Sequence, residues 1–215
     1  MKTLGNLVYM ANTDKSKVIP KQKKGTKSGA EETVVFENHR DAVLYYEIFK
    51  QRFLNINRWI NYSKTTSFQL TDLAGTSINE DEAKAGYLVK IKLPVAGTST
   101  GKGYDWVKIE HITDEYDPMK DEALLGIRVR PTAAPGSDRS STAHFYTEDT
   151  TSTFTLKRKG LEITAQESGR NDVYNLQPRN IWDKVRNFIV GIFSSAGGSH
   201  IMWKIFLKNI LSLEK

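Results

Sequence analysis

The chain has 215 residues, and its 31 Lys and Arg residues against 25 Asp and Glu residues give a formal net charge of +6. Its 39% hydrophobic residues are enough to fill a core, which excludes a chain that is disordered throughout. The absence of cysteine excludes disulfides, thiolate metal sites, iron–sulfur clusters and cysteine nucleophiles. It also favours an intracellular setting, and we expect a cytoplasmic protein.

The positive charge is concentrated near the N-terminus. Residues 1–30 hold seven Lys and one Asp, a charge of +6, whereas residues 31–215 hold 24 basic and 24 acidic residues. Because residues 11–32 contain almost no apolar side chains, they cannot bury enough surface to offset the entropy of ordering. We therefore predict a flexible Lys-rich arm over residues 1–32 and a single α+β domain over residues 33–215. Between positions 13 and 32 the arm has no Arg and no aromatic residue to contact bases, so we do not expect nucleic-acid binding.

A helix is the clearest element in the first third of the domain. Apolar residues recur every three or four positions from Ala42 to Ile60, which predicts an amphipathic helix over residues 40–62. Asn38 is of a residue type that caps helices at their first turn. The apolar run just before it, residues 33–36, predicts a short strand.

The central part of the chain has the two-residue period of strands. Seven runs predict strands, over residues 68–73, 87–93, 106–112, 123–130, 143–147, 153–158 and 161–167. The Lys159-Gly160 step indicates a tight hairpin, while residues 114–118 and 168–172 have the composition of turns. Short connections between strands predict antiparallel pairing.

Two further helices are predicted near the C-terminus, over residues 181–193 and 199–213. The fold class is therefore α+β, a curved antiparallel sheet of about six to seven strands with an N-terminal helix and C-terminal helices packed on it. This element order is similar to that of helix-grip (START-like) ligand-binding proteins, in which a curved antiparallel sheet wraps a long C-terminal helix. The similarity covers about residues 33–213 and lies in element order, with no residue motif.

Four residues are candidates for ligand binding. Arg128 and Arg130 lie two apart on one predicted strand and so share a face. An acid on a neighbouring strand, Glu110 or Glu167, would explain the pair, and an anionic ligand is the alternative. His144 and Tyr146 also share a face, and we predict that they join the same site.

Motifs for metals, cofactors or catalysis are absent from the sequence. The loop over residues 97–103 resembles a phosphate-binding loop but lacks the glycine and the hydroxyl that the motif requires at positions 96 and 103. The four His residues have no metal-ligand spacing, and there is no Gly-x-Ser-x-Gly segment. We expect no metal, no cofactor and no recognisable catalytic residue.

The function predicted first is that of a non-enzymatic binding domain, which holds a small apolar or amphipathic ligand between the sheet and the C-terminal helix. It requires a pocket of several hundred cubic ångströms there. The alternative is an interaction or assembly module, in which residues 199–213 dock on a protein partner or a second copy. Its candidate contact residues are Met202, Trp203, Phe206 and Ile210.

A second alternative is an acid/base enzyme without a sequence motif. It requires carboxylates or histidines with strongly shifted pKa values, clustered in a cleft. A membrane-spanning helix is not expected, since residues 187–203 are too short and too polar to cross a bilayer. Residues 178–215 could lie on a membrane surface as a basic amphipathic unit, but such helices usually complete a core, so membrane binding is not expected either.

Overall fold

Seven antiparallel strands form one curved sheet in the computed structural model, which describes residues 18–93, 102–137, 146–173 and 198–213. The strands are β1 (Thr26–Val35), β2 (Ser67–Thr71), β3 (Leu88–Lys92), β4 (Asp105–Asp117), β5 (Glu122–Pro131), β6 (Thr151–Lys159) and β7 (Glu162–Asp172). Their order is β1-β7-β6-β5-β4-β3-β2, which places β1 and β2 at the two edges. The predicted α+β class with its antiparallel sheet is confirmed.

The alternation of side chains gives the sheet two different faces. Ile127 and Val129 on β5 and Phe154 on β6 lie on the face that carries the main hydrophobic core, which we call the inner face. Arg128 and Arg130 alternate with these residues and lie on the outer face. The tight β6–β7 connection has Gly160 at φ 57°, as the predicted hairpin requires.

Helix α1 (His39–Leu54) begins as predicted, with the side chain of Asn38 accepting a 2.9 Å hydrogen bond from the Asp41 N–H. It packs against the inner face through buried residues that include Phe49 and Phe53. The first helix therefore supplies much of the core above the sheet.

The prediction that this helix continues to residue 62 is wrong. It ends at Leu54 and is followed by a 3-10 turn, Ile56–Arg58, and by the short helix α2 (Ile60–Ser63). The Trp59 indole N–H, buried in the core, donates hydrogen bonds of 3.2 and 3.1 Å to the carbonyl oxygens of Arg52 and Phe53. These carbonyls lie in the last turn of α1, where no following helical turn provides N–H donors for them. The tryptophan provides a donor instead and so stabilises the end of the helix at Leu54.

The N-terminal segment is more ordered than predicted, and the flexible arm does not extend to residue 32. Strand β1 begins at Thr26 and pairs with β7, because main-chain hydrogen bonding does not require apolar side chains on an edge strand. Upstream, the buried Val18 lies on the outer face, where a Cβ on Gly126 would be 2.4 Å from its Cγ1. Residues 1–17 lie outside the described part.

Two segments predicted as turns belong to strands instead. Residues 114–117 pair with β5 as the end of β4, and the turn follows them, with Asp121 at φ 50°. Residues 168–172 form the end of β7 and pair with β1. In both cases the polar composition suggested a turn. The residues instead extend long strands, because their main-chain groups form hydrogen bonds with a neighbouring strand, and composition does not predict such bonds.

Helix α3 (Gly198–Ile210) packs against β1 and α2. Its Asn209 amide donates a 2.8 Å hydrogen bond to the carbonyl of Tyr62, and Arg52 donates to the carbonyls of Ile210 and Ser212 at 2.8 and 2.7 Å. The predicted helix over 181–193 lies outside the described residues, as do most of the predicted strand over 143–147 and of the loop over 97–103. Among the described helices, none has the length and apolar character needed to cross a membrane.

Candidate functional site

A cavity of about 110 Å³ lies between the inner face of the sheet and helix α3. It is where the sequence predicted a pocket, although it is smaller than the several hundred cubic ångströms expected. Most of its wall is apolar. The apolar residues that line it include Ile56, Trp59, Phe68, Val89, Ile91, Leu93, Val107, Val129, Phe154, Met202 and Trp203.

Aromatic rings form one continuous part of this wall. The ring centroids of Trp59 and Phe154 lie 4.9 Å apart, those of Phe154 and Trp203 5.0 Å, and those of Trp59 and Phe68 5.3 Å. All three pairs meet edge to face, the arrangement that the ring quadrupoles favour. The cavity thus presents fixed aromatic surfaces, which suit an apolar or aromatic group.

The polar part of the lining comes largely from three neighbouring strands. Ser28 on β1, Ser152 on β6, and Glu167 and Asp172 on β7 all contribute to it. In the strand register, Ser28 and Ser152 both lie opposite Gly169, so these groups converge at one end of the β1-β7-β6 part of the sheet. Asp105 on β4 also lines the cavity.

Glu167 occupies a position that the strand pattern normally gives to an apolar residue. It follows Ile163 and Ala165 at every second position of β7, and it is paired with Ala30 on one side and Phe154 on the other. Its side chain is 1% exposed. Burial raises the pKa of this carboxyl to about 8, the negative charge of Asp172 adds to the rise, and a hydrogen bond from Ser152 opposes it.

Asp172 reaches the same face through a β-bulge. Regular alternation after Glu167 would turn residues 169 and 171 inward and Asp172 outward. Between Ser28 and Thr26 the register advances two residues on β1 but three on β7, and Asn171 adopts φ 56°. The extra residue therefore turns the Asp172 side chain into the cavity, where burial raises its pKa.

Gly169 provides the space that this arrangement needs. The Ser28 hydroxyl donates a 2.6 Å hydrogen bond to Oδ2 of Asp172. A Cβ on Gly169 would lie 2.1 Å from the Ser28 hydroxyl oxygen and 2.8 Å from Oδ2 of Asp172. A side chain at this position is therefore incompatible with the observed hydrogen bond.

Contacts from the N-terminal segment hold the bulge in place. Oδ1 of Asn171 accepts hydrogen bonds from the N–H groups of Lys23 and Lys24 at 2.7 and 3.2 Å, and the Asn171 N–H donates to Oε1 of Gln22 at 3.0 Å. Residues predicted to form part of a free arm thus bind the segment that positions Asp172.

The predicted ligand residues are not brought together. Arg128 and Arg130 lie on the outer face and donate hydrogen bonds to Glu110 at 3.1 and 2.5 Å, which removes the basis for an anion site there. The predicted ion pairing with Glu110 is confirmed, whereas Glu167, the other acid considered, lies on the opposite face. Tyr146 lines the cavity, and His144 lies outside the described residues.

The predicted partner-binding residues on α3 face inward. Phe206 and Ile210 are fully buried in the core, so the prediction that they contact a partner is wrong. Met202 and Trp203 line the cavity. The strong apolar character of this helix is explained by its burial on two sides, against the core and against the cavity.

Sequence reasoning missed the two carboxyl groups at the cavity. The sequence contained a signal for Glu167, because this acid follows Ile163 and Ala165 at the every-second position that otherwise carries apolar, inward-facing residues. For Asp172 none existed, because the bulge reverses the direction of its side chain. Within the described ranges, no three His, Asp or Glu side chains converge in a way that would hold a metal ion.

Comparison with solved structures finds proteins with similar architecture and very low sequence identity. Major latex-like protein 151 from Panax ginseng is 11% identical, the match covers 82% of this chain and 99% of that one, and the TM-score is 0.35. A protein from Thermus thermophilus is 9% identical over 88% of this chain and 100% of that one, with a TM-score of 0.42. A START superfamily protein from Mycobacterium smegmatis is 8% identical over 81% and 98%, with a TM-score of 0.32.

These scores are too low to support an inference about function. No family model matches the chain, and no curated protein matches it in sequence.

Proposed function

We propose that this chain is a non-enzymatic binding domain that holds a small amphipathic molecule between the inner face of the sheet and helix α3. The observation that carries the proposal is the cavity itself, which has an aromatic and aliphatic wall and a polar end. Ligand sites are commonly concave, mostly apolar and supplied with a few polar groups that orient the ligand. A structural core has no need of buried carboxyl groups, which cost free energy wherever they lack partners.

The volume limits the size of the molecule. A cavity of about 110 Å³ is of the order that accommodates a single aromatic ring, since apolar cavities of roughly 150 Å³ bind benzene. Benzyl alcohol is therefore a suitable neutral test ligand, because it combines one ring with one hydrogen-bonding group.

Nuclear magnetic resonance of the indole N–H groups tests the proposal directly. Trp59 and Trp203 line the cavity, whereas Trp106 packs with Leu88 and Ala134 in a separate cluster. We expect benzyl alcohol to shift the Trp59 and Trp203 signals with a saturable dependence on concentration and to leave the Trp106 signal in place. Equal, non-saturating shifts of all three signals, or no shift, would contradict binding at the cavity.

A pair of substitutions provides the matched control. Ile91→Phe enlarges a partly exposed residue of the cavity wall and should weaken binding, because it fills the space that the ligand needs. Ile205→Phe makes the same change at a residue that is 47% exposed and does not line the cavity. It should leave the affinity within about twofold, since surface substitutions have small effects.

An acid/base enzyme is a second candidate, and it is favoured by a specific observation. Glu167 has a pKa raised to about 8 and lies beside a second carboxyl group in a cavity, a combination that occurs at catalytic sites. A buried carboxylate in an apolar site is a strong base, because water does not stabilise its charge.

Deuterium exchange at the α-carbon of nitroethane, a molecule small enough for the cavity, tests this candidate in heavy water. A base removes a proton from that carbon to give the nitronate anion, which then takes up deuterium from the solvent. We expect a rate above that of the buffer which rises with pH through about 8 and is lost in Glu167→Gln. A rate that Glu167→Gln leaves unchanged would rule out Glu167 as the base.

A further inference from the structure

Two buried carboxyl groups line the cavity with oxygen atoms that have no hydrogen-bond partner in the described part of the chain. These atoms are Oε2 of Glu167 and Oδ1 of Asp172. The residues are 1% and 5% exposed, so bulk water does not solvate them freely. Buried polar atoms are nearly always satisfied in proteins, and an unsatisfied one calls for a specific partner.

The remaining oxygens of the two groups are already bound. Ser28 donates to Oδ2 of Asp172, and Ser152 donates a hydrogen bond to the Glu167 carboxyl. The two serines therefore fix the orientation of the carboxyl groups and leave one oxygen of each for another donor. The geometry has the features of a preformed site.

The two carboxyl groups have no ion-pair partner in the part of the chain that the structure describes. In the described ranges, neither carboxyl group forms an ion pair with a Lys, Arg or His side chain. Among the described residues, the positive charge of Arg170 lowers the pKa of both groups, but its Nη1 donates a 2.7 Å hydrogen bond to the carbonyl of Gly169. A cation bound beside the two groups stabilises their ionised forms and so opposes the rise in both pKa values, whereas an anion would be repelled.

The apolar part of the cavity wall indicates that the part of the ligand outside the polar group is apolar. The rings of Trp59, Phe154 and Trp203 lie beside an apolar space for about one ring, as described above. A polyamine or a metal ion would leave this surface unused. An apolar amine would fill it and bring three N–H donors to the carboxyl oxygens.

We propose that the ligand of this cavity carries a cationic nitrogen group, such as an ammonium group, on a small apolar body, and that Glu167 and Asp172 bind this group. The inference rests on the proposed function, because it requires that the cavity binds a small molecule. It adds the chemical class of the ligand and the residues that select it.

A series of three compounds with the same ring tests the inference on the wild-type protein. Benzylamine is a cation at pH 7, benzyl alcohol is neutral and benzoate is an anion. We expect benzylamine to bind at least about tenfold more tightly than benzyl alcohol, as charge-assisted hydrogen bonds provide. Benzoate should bind more weakly than the alcohol. Affinities are measured by the Trp59 and Trp203 indole signals.

Three variants locate the selectivity. Glu167→Gln and Asp172→Asn should each reduce the preference for benzylamine over benzyl alcohol at least about fivefold, because the amide keeps the shape of the carboxyl group but cannot take up a negative charge beside the cation. Glu162→Gln is the matched control, an exposed acid on the same strand that does not line the cavity. It should keep the wild-type preference.

The outcomes separate the two proposals. Equal affinity for benzylamine and benzyl alcohol in the wild-type protein, or a preference that survives in both Glu167→Gln and Asp172→Asn, would overturn the inference and leave the proposed binding function standing. Failure of all three compounds to shift the Trp59 and Trp203 signals would overturn both.

Discussion

Ser28 on the first strand and Asp172 at the end of the last strand are joined by a 2.6 Å hydrogen bond at one end of the cavity. The bond exists because a bulge turns Asp172 inward and because Gly169, between the two residues, has no side chain. The edge of the sheet thus positions a carboxyl group that regular strand geometry would direct outward.

Gly169→Ala should destabilise the protein by about 1–3 kcal/mol, because its Cβ would displace the Ser28 hydroxyl or the Asp172 carboxyl. Urea denaturation measures the change. In the Ser28→Ala background the same substitution should cost less, since the atom nearest to the new Cβ is gone. Equal costs in the two backgrounds would contradict this description of the contact.

The stability of the protein should fall as pH rises from about 4.5 to about 8. In this range Glu167 is protonated in the folded state, where its pKa is raised to about 8, and ionised in the unfolded state, so proton release favours unfolding. Asp172, whose pKa is also raised, acts in the same direction. Urea denaturation at a series of pH values measures the trend.

Glu167→Gln should flatten this dependence and should be more stable than the wild-type protein above pH 8. Its amide has nearly the shape of the carboxyl group but no proton to release. Glu162→Gln serves as the control for the loss of one acid from β7. A dependence on pH that Glu167→Gln leaves intact would show that Glu167 does not titrate in this range.

Val18→Ala should destabilise the protein by about 1–2 kcal/mol, because Val18 is 3% exposed and packs over Gly126 on the outer face. Val35→Ala makes the same change at a residue that is 67% exposed, and it should have an effect within about 0.5 kcal/mol. Equal effects would indicate that residue 18 belongs to the predicted flexible arm rather than to the folded domain.

Trp59→Phe should destabilise the protein by about 1–3 kcal/mol, mainly because the carbonyls of Arg52 and Phe53 at the end of α1 lose their indole donor while remaining near the core. Amide hydrogen exchange should show faster opening of the last turn of α1 than of its first turn. Unchanged exchange in that turn would argue against a capping role for the indole.

The architecture follows from local patterns in the sequence, whereas the site depends on interactions between distant segments. Apolar residues at every second position identify most of the strands, and apolar residues at every third or fourth position identify the first helix. Each spacing places the apolar side chains on the one face that the element buries. The end of α1 could not be predicted, since it depends on where the Trp59 side chain is buried. Likewise, the bulge at Asn171 depends on contacts with Gln22, Lys23 and Lys24, about 150 residues away in the chain.

The distribution of charged residues gave a wrong prediction for residues 1–32 and a correct one for Arg128 and Arg130 on β5. The Lys-rich composition of residues 1–32 suggested an arm, but β1 pairing depends on main-chain groups that composition does not describe. The alternation on β5 correctly placed Arg128 and Arg130 on one face, and Glu110 on the adjacent strand provides their partner. Only three-dimensional contacts could decide between this acid and an anionic ligand.

Native mass spectrometry of the full chain purified from its own host tests whether the cavity holds a cationic ligand. We expect a bound small molecule that carries a basic nitrogen, retained by the wild-type protein and by Ile205→Phe and lost or strongly reduced in Ile91→Phe. Wild-type protein that carries no small molecule and also fails to bind benzyl alcohol, or a bound molecule that Ile91→Phe retains in full, would contradict it.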